Sequence, residues 1–359
     1  MGPVRTAIHL NRTEVVMRNP WMLLGLCLIA CAGSDKGADG TSDTGDDGSA
    51  GDDGGAGDDG GAGDDGGSGA DGGSGDDGGT GDGGDPGSAG CGLSPAWSTG
   101  GVQIELDAGA EGDGIRGAFL VLPDDYDPEL PHRLVLGYPG TNWVGEQIRP
   151  YLDLEGRTGE PEVYVYLDPL WRDFEGWGNY GGWVLGPHAH PAQGMGDIVF
   201  TEQLIDHLQD NLCIDTDRIF ATGHSWGGDM AQVVACFLGD RITASAPAAA
   251  NRPYWFEDGS AWVSCSGDAA VWTWFGINDT HFSWQDYPGQ YGDECTDFWL
   301  DARGCDDSAP TDLGYGEAGE CLSYGGCSSE VRYCLYGPDA GHQIPSYFSA
   351  AVMDWFGGF

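Results

Sequence analysis

Basic residues are almost missing from this chain. Its 359 residues hold one lysine, Lys36, and 14 basic side chains against 58 acidic ones, for a net charge of −44. Too little positive charge is present to release counterions from a polyanion. Nucleic-acid binding through phosphates is therefore excluded, and anionic polymers are repelled. Long apolar runs are missing as well: the stretch Trp21 to Ala30 is too short to span a bilayer as a helix. No H-E-x-x-H occurs, and His188-Ala189-His190 has no evident third ligand, so neither a metal nor another cofactor is expected. Residues 33–90 carry almost nothing apolar, which excludes a packed core there.

What is present divides the chain into three parts. In residues 1–30, translation is expected to begin at Met17, from which a single positive charge, Arg18, precedes the short apolar run, the pattern of a secretory signal. Leu28-Ile29-Ala30-Cys31 resembles a lipobox, which implies cleavage before Cys31 and lipidation of its thiol. The competing reading is ordinary cleavage after Ala30-Cys31-Ala32. A lipid anchor at a bacterial envelope is the one membrane attachment expected; without it the protein would be freely extracellular. Residues 31–90 have a net charge of −15 and repeat Gly-Asp-Asp-Gly-Gly-Ala with period six from Gly51. A calcium-binding β-roll would need an apolar residue in every turn, so the segment reads as a self-repelling linker with an r.m.s. span of about 40–50 Å.

Residues 91–359 hold all but one of the 14 tryptophans and still carry a net charge of −31. Their length suffices for one large core. Runs at Val102–Leu106, Ile115–Leu122, Arg133–Tyr138, Val163–Leu167, Arg218–Thr222, Val271–Phe275 and Val331–Tyr336 predict strands. Asp197 is placed to cap a helix bearing Ile198, Val199, Leu204, Ile205, Leu208 and Leu212. Met230–Leu238 and Tyr347–Phe356 also read as helices. The Gly- and Cys-rich stretch 286–330 reads as a disulfide-stapled excursion. Strands alternating with helices predict an α/β fold with a mostly parallel sheet covered on both faces.

The chemistry centres on Gly223-His224-Ser225-Trp226-Gly227, set between a strand and a helix. That is the context of a nucleophile elbow, although an ordinary Gly-rich β–α turn would read the same way locally. Gly223 and Gly227 lack the Cβ atoms that would block so tight a turn. Ser225 would then be exposed at the tip, with the backbone N–H of Trp226 facing a developing oxyanion. A base and an orienting acid should follow in the order Asp, His at later strand ends. Asp279 and His342 occupy those places. A second oxyanion donor is expected from the backbone of Gly140 or Thr141. His281 stands awkwardly close to Asp279 to be its base, His224 fills the variable slot of the motif and reads as structural, and Asp301 and Asp306 read as solvated loop carboxylates.

These residues carry a resemblance. The Leu122-Pro123-Asp124-Asp125-Tyr126-Asp127 turn, the Arg133–Tyr138 strand, Gly176-Trp177-Gly178-Asn179-Tyr180-Gly181-Gly182, the run Asp215–Gly223 into the elbow, Phe275-Gly276-Ile277-Asn278-Asp279 and Gly341-His342 are similar to secreted feruloyl esterases. These group with acetyl xylan esterases and polyhydroxybutyrate depolymerases. The resemblance spans nearly all of 90–359 and implies an α/β-hydrolase fold with Ser225, Asp279 and His342 as triad. Two departures stand out: Pro139 replaces the His usual after the oxyanion strand, and Trp183 to His190 is extra sequence near where the family binds its acyl or sugar moiety. The resemblance also implies that Cys91, Cys213, Cys236, Cys265, Cys305 and Cys327 are the family's cysteines. Cys295, Cys321 and Cys334 are additions; Cys321 with Cys334 is a guessed bridge, and nine cysteines leave one unpaired.

The expected function is a secreted serine carboxylic-ester hydrolase acting on feruloyl or acetyl esters of plant polysaccharide. Tyr138, Trp177, Tyr180, His188 and His190 are its candidate substrate contacts, and Trp143, Trp171 and Trp226 are further flanking aromatics. The alternatives are a polyester depolymerase or general carboxylesterase, and a surface-tethered binding module without catalysis.

Overall fold

The computed structural model describes residues 87–359 apart from 283, 316–319 and 338–339, with the side chains of 307–309 also left aside. The proposed signal, Cys31 and nearly all of the proposed linker lie outside the described residues.

A ten-stranded sheet runs through this region. In chain order its elements and their attachments are β1 (Gly100–Asp107), β2 (Ile115–Leu122), β3 (His132–Tyr138), α1 (Gly145–Leu152), β4 (Glu162–Leu167), a hairpin of β5 (Leu170–Phe174) and β6 (Gly178–Gly182), α2 (Gly196–Asn211), β7 (Ile214–His224), α3 (Trp226–Phe237), β8 (Ala244–Ala248), a small hairpin of β9 (Glu257–Asp258) and β10 (Ala261–Trp262), β11 (Ala270–Gly276), α4 (Gln290–Ala302), β12 (Asp306–Asp312), β13 (Glu320–Gly325), β14 (Val331–Tyr336) and α5 (Phe348–Phe356). The sheet order is β1-β2-β4-β3-β7-β8-β11-β14-β13-β12. From β4 to β14 neighbouring strands are parallel, and antiparallel pairs close both edges. This is the α/β-hydrolase fold.

The period-two alternation of the central strands builds two cores. Leu134, Leu136, Val163, Val165, Ile219, Ala221 and Val271 face α2, α3 and α4. Val135, Tyr164, Tyr166, Phe220, Trp272 and Trp274 face α1 and α5. Strands buried on both faces read as continuous apolar runs, which is why most could be located from sequence. β8, with the sequence ASAPA, carries too little apolar bulk to have been found.

Three local expectations are corrected. Asp197 does not cap α2: the N-cap is Met195, without a side-chain cap bond. The fully buried Asp197 carboxylate instead accepts from Arg116, Arg172 and the Val184 N–H, tying β2, the β5–β6 hairpin and the following loop to α2. Losing one partner of such a buried pair typically costs about 3–5 kcal/mol. Stretch 286–330 is not a mere excursion; it holds α4 and two strands that extend the sheet. Contacts of the folded region begin before Cys91, since Gly87 bridges Asp215 and Ser88 bonds Leu212 and Ile214.

Disulfides join Cys91–Cys213, Cys236–Cys265, Cys305–Cys327 and Cys321–Cys334. The last pair sits opposite in the β13–β14 register, in agreement with the guessed bridge. Cys295 is free and buried. Its thiol donates to the Asn251 carbonyl, and burial pushes its pKa up, which makes it a poor nucleophile.

Candidate active site

Ser225 joins β7 to α3 with φ 60° and ψ −127°, a conformation that costs a non-glycine residue on the order of 1–3 kcal/mol. The surroundings hold it there. Its N–H donates to the Ala248 carbonyl on β8, and its own carbonyl accepts from the Asp229 N–H in the first turn of α3. The elbow also needs glycine at 227, because a Cβ there would stand 2.0 Å from the Tyr138 carbonyl oxygen. Trp226 is the first residue of α3, so its N–H has no intrahelical partner.

Asp279 and His342 follow β11 and β14 on the same sheet edge. The His342 Nδ1 and an Asp279 Oδ2 are 2.8 Å apart. The other Asp279 oxygen accepts the His281 backbone N–H at 3.0 Å. Asp279 is buried, so both oxygens are committed and the imidazole is aimed. His342 Nε2 is buried and has no hydrogen-bond partner among the described residues.

Ser225 and His342 line one cleft of about 490 Å³, together with Gly140, Thr141, Trp143, Tyr151, His224, His281 and Gln343. No carboxylate, Arg or Lys is among these lining residues. Gly140 comes close to the serine: a Cβ on it would lie 3.2 Å from Ser225 Cβ. The Pro139 departure is accommodated, because Trp183 Nε1–H donates to the Pro139 carbonyl at 2.8 Å. Asn142, at φ 64°, locks the next turn by exchanging two bonds with Gly181 of β6.

Histidines and aromatics surround the imidazole. His281 stacks on His342 with ring centroids 4.3 Å apart, and His224 lies 4.8 Å away, tilted. Tyr151 packs edge-on to His224, and Trp143 edge-on to Tyr151. Burial, with the charge of His342 as the next cause, pushes the His224 pKa down to about 3. The same two causes lower His281. Both neighbours are thus held neutral beside the imidazole that would change charge. Among the described residues no three His, Cys, Asp or Glu side chains are arranged to hold a metal ion.

The candidate substrate contacts separate. Tyr138 is fully buried with its hydroxyl on Thr201, so it offers a substrate no surface. His188 is half-buried near Asp258, and exposed His190 lies near Glu175; neither lines the cleft. The extra segment belongs to the core rather than to the cleft wall, since Trp183, Leu185 and Ala189 are buried. Trp177 and Tyr180 sit on the β5–β6 hairpin beside the cleft, with Trp177 edge-on to Trp226. Tyr151 and Gln343 went unnoticed in the sequence. Tyr151 lies in α1, a helix of eight residues interrupted by Pro150, which gave no periodic signal.

No protein-family model matches the chain. It is similar to feruloyl esterase C of Emericella nidulans, with 29% identity over 265 residues covering 71% of this chain and 83% of that protein. It is also similar to feruloyl esterase D of Neurospora crassa, with 30% identity over 171 residues covering 44% of this chain and 52% of that protein. Among solved structures, an acetyl xylan esterase from Aspergillus awamori matches with a TM-score of 0.53 at 18% identity, covering 72% of this chain and 99% of that one. The structural match concerns the fold; the sequence relatives are the esterases that the motifs resemble.

Proposed function

We propose that this carboxylic-ester hydrolase of the feruloyl and acetyl xylan esterase group works through Ser225, His342 and Asp279, outside the cell, on phenolic or acetyl esters of neutral plant polysaccharide. The observation that carries the reading is the His342–Asp279 pair at 2.8 Å, with His342 Nε2 unpartnered in the cleft that holds Ser225. Ser225 Oγ attacks the ester carbonyl carbon and its proton passes to His342 Nε2. The carbonyl oxygen becomes an oxyanion, held by the N–H of Trp226 and one from Gly140 or Thr141. The intermediate collapses to an acyl-enzyme while His342 returns the proton to the leaving alcohol. Water then repeats the sequence and frees the acid. Asp279 keeps the imidazole in the tautomer that presents Nε2 as acceptor.

Two features support the substrate class. A cleft lined by no carboxylate or Arg suits an uncharged ester, and the Trp143–Tyr151 edge suits a flat phenolic ring over a short aliphatic acid. Four disulfides favour an oxidising compartment. The lipid anchor at Cys31 is a further proposal, tested by the mass of the mature N-terminus: an unmodified Ala or Gly start refutes it.

The deciding experiment assays methyl ferulate, acetylated xylan, a short p-nitrophenyl ester and polyhydroxybutyrate. Wild type should turn over the first three, and Ser225→Ala should lose roughly 10⁴-fold or more in kcat on each. Unchanged activity in Ser225→Ala would overturn the mechanism. Turnover of polyhydroxybutyrate in preference to methyl ferulate and acetylated xylan would overturn the substrate class.

A further inference from the structure

The β5–β6 hairpin stands beside the cleft and has no part in the proposed chemistry. On β5 the side chains alternate: Phe174 turns inward against Trp226, with ring centroids 4.8 Å apart, while Trp171 turns to solvent, 62% exposed. Its cross-strand partner is Gly181, which has no side chain to crowd the indole. At the hairpin tip Trp177 is 41% exposed and rests edge-on against Trp226, the residue after the nucleophile. A lone exposed tryptophan needs no explanation. Two on one short hairpin, one of them resting on the residue after the nucleophile, ask for one.

The hairpin is also held rigid. Arg172 donates to the Gly182 carbonyl, to Asp197 and to Asp113. Gly181 exchanges two bonds with Asn142, whose chain neighbour Trp143 lines the cleft. Gly181 thus links the two: a Cβ on it would lie 3.4 Å from both the Asn142 Cα and the Trp171 indole.

We propose that Trp171 and Trp177 form a stacking platform for the neutral sugar chain of a polymeric ester, leading it to Ser225. The proposal rests on the polysaccharide-ester reading given above. Sugar rings present C–H faces to the negative face of an indole, and a platform fixed in advance loses little entropy on binding. The acidic chain, with one lysine, repels anionic glycans, and the polysaccharide-ester reading makes neutral xylan the partner.

The test uses the mature chain. Trp171→Ala should bind insoluble xylan roughly five- to tenfold more weakly, a loss in the usual range for one aromatic contact. Its kcat/KM on acetylated xylan should fall in proportion, and its turnover of methyl ferulate should change less than twofold. In the Ser225→Ala background, neutral xylo-oligosaccharide should shift the tryptophan fluorescence, Trp171→Ala should reduce that shift, and polygalacturonate should not compete. If Trp171→Ala matches wild type in xylan binding while wild type hydrolyses methyl ferulate, the platform is refuted and the esterase reading stands. If the tryptophans instead mediate binding to polyhydroxybutyrate and not to xylan, both the sugar assignment and the polysaccharide reading fail. An equal loss on methyl ferulate and xylan would refute a platform role for Trp171.

Discussion

The ring of His281 lies flat on that of His342, with planes 16° from parallel and centroids 4.3 Å apart. The link from this residue to Asp279 runs through its backbone N–H, so a substitution removes the stacked ring and leaves the anchor. His281→Ala should let the His342 imidazole rock and lower kcat/KM on a short p-nitrophenyl ester by about tenfold, since small displacements of a base are costly. His281→Phe restores a flat ring and should recover most of that loss. Equal rates for the two variants would show that stacking does not position the base.

Asp279 offers a sharper perturbation. Asp279→Asn keeps the size of the side chain but can turn an N–H toward His342 Nδ1, which then must accept and leaves Nε2 protonated. A fall of roughly 10⁴-fold in kcat is expected, with little change in KM. A fall below tenfold in steady-state assays would remove Asp279 from the proposed triad.

The Trp183–Pro139 bond joins an unusual proline to the extra segment. Trp183→Phe leaves the Pro139 carbonyl without its buried donor. The cost should be about 1–3 kcal/mol, seen as a drop of several degrees in Tm, at about 2–4 °C per kcal/mol for a domain of this size. Because Gly140 follows directly, kcat should also fall. A variant with wild-type Tm and kcat would show that the bond does not support the oxyanion loop.

Acid should weaken the fold through His224. Its pKa is pushed down to about 3 in the folded protein, against about 6.5 when unfolded. Between those values the unfolded state binds the extra proton, so stability falls as pH drops from about 6.5 toward 3, by up to about 1.4 kcal/mol per pH unit. Asp229, buried and pushed well up, acts with the opposite sign: its stabilising share is present at low pH and is lost as pH rises. Comparing wild type with His224→Gln isolates the histidine. The variant should lose less stability on acidification, measured by urea denaturation from pH 7 to 4, and parallel curves would refute the assignment.

The sequence by itself determined the fold class and the order of the candidate site. Continuous apolar runs such as Arg133–Tyr138 and Val331–Tyr336 are legible because strands buried on both faces must be apolar at every position. Gly223-His224-Ser225-Trp226-Gly227 is legible because a tight β–α turn admits few residue types. Asp279 and His342 could be nominated because parallel strands deliver their following loops to one sheet edge. Those signals are local or depend only on chain order.

Tertiary structure decided what depends on residues distant in sequence. It buried Tyr138 and placed Trp183 behind Pro139, although both read as residues near the substrate. It moved Asp197 from helix cap to a buried ion-pair hub, because its partners Arg116 and Arg172 come from other elements. It brought Tyr151, His224 and His281 around His342. Such packing is set by where elements cross in space, which no periodicity in the chain encodes.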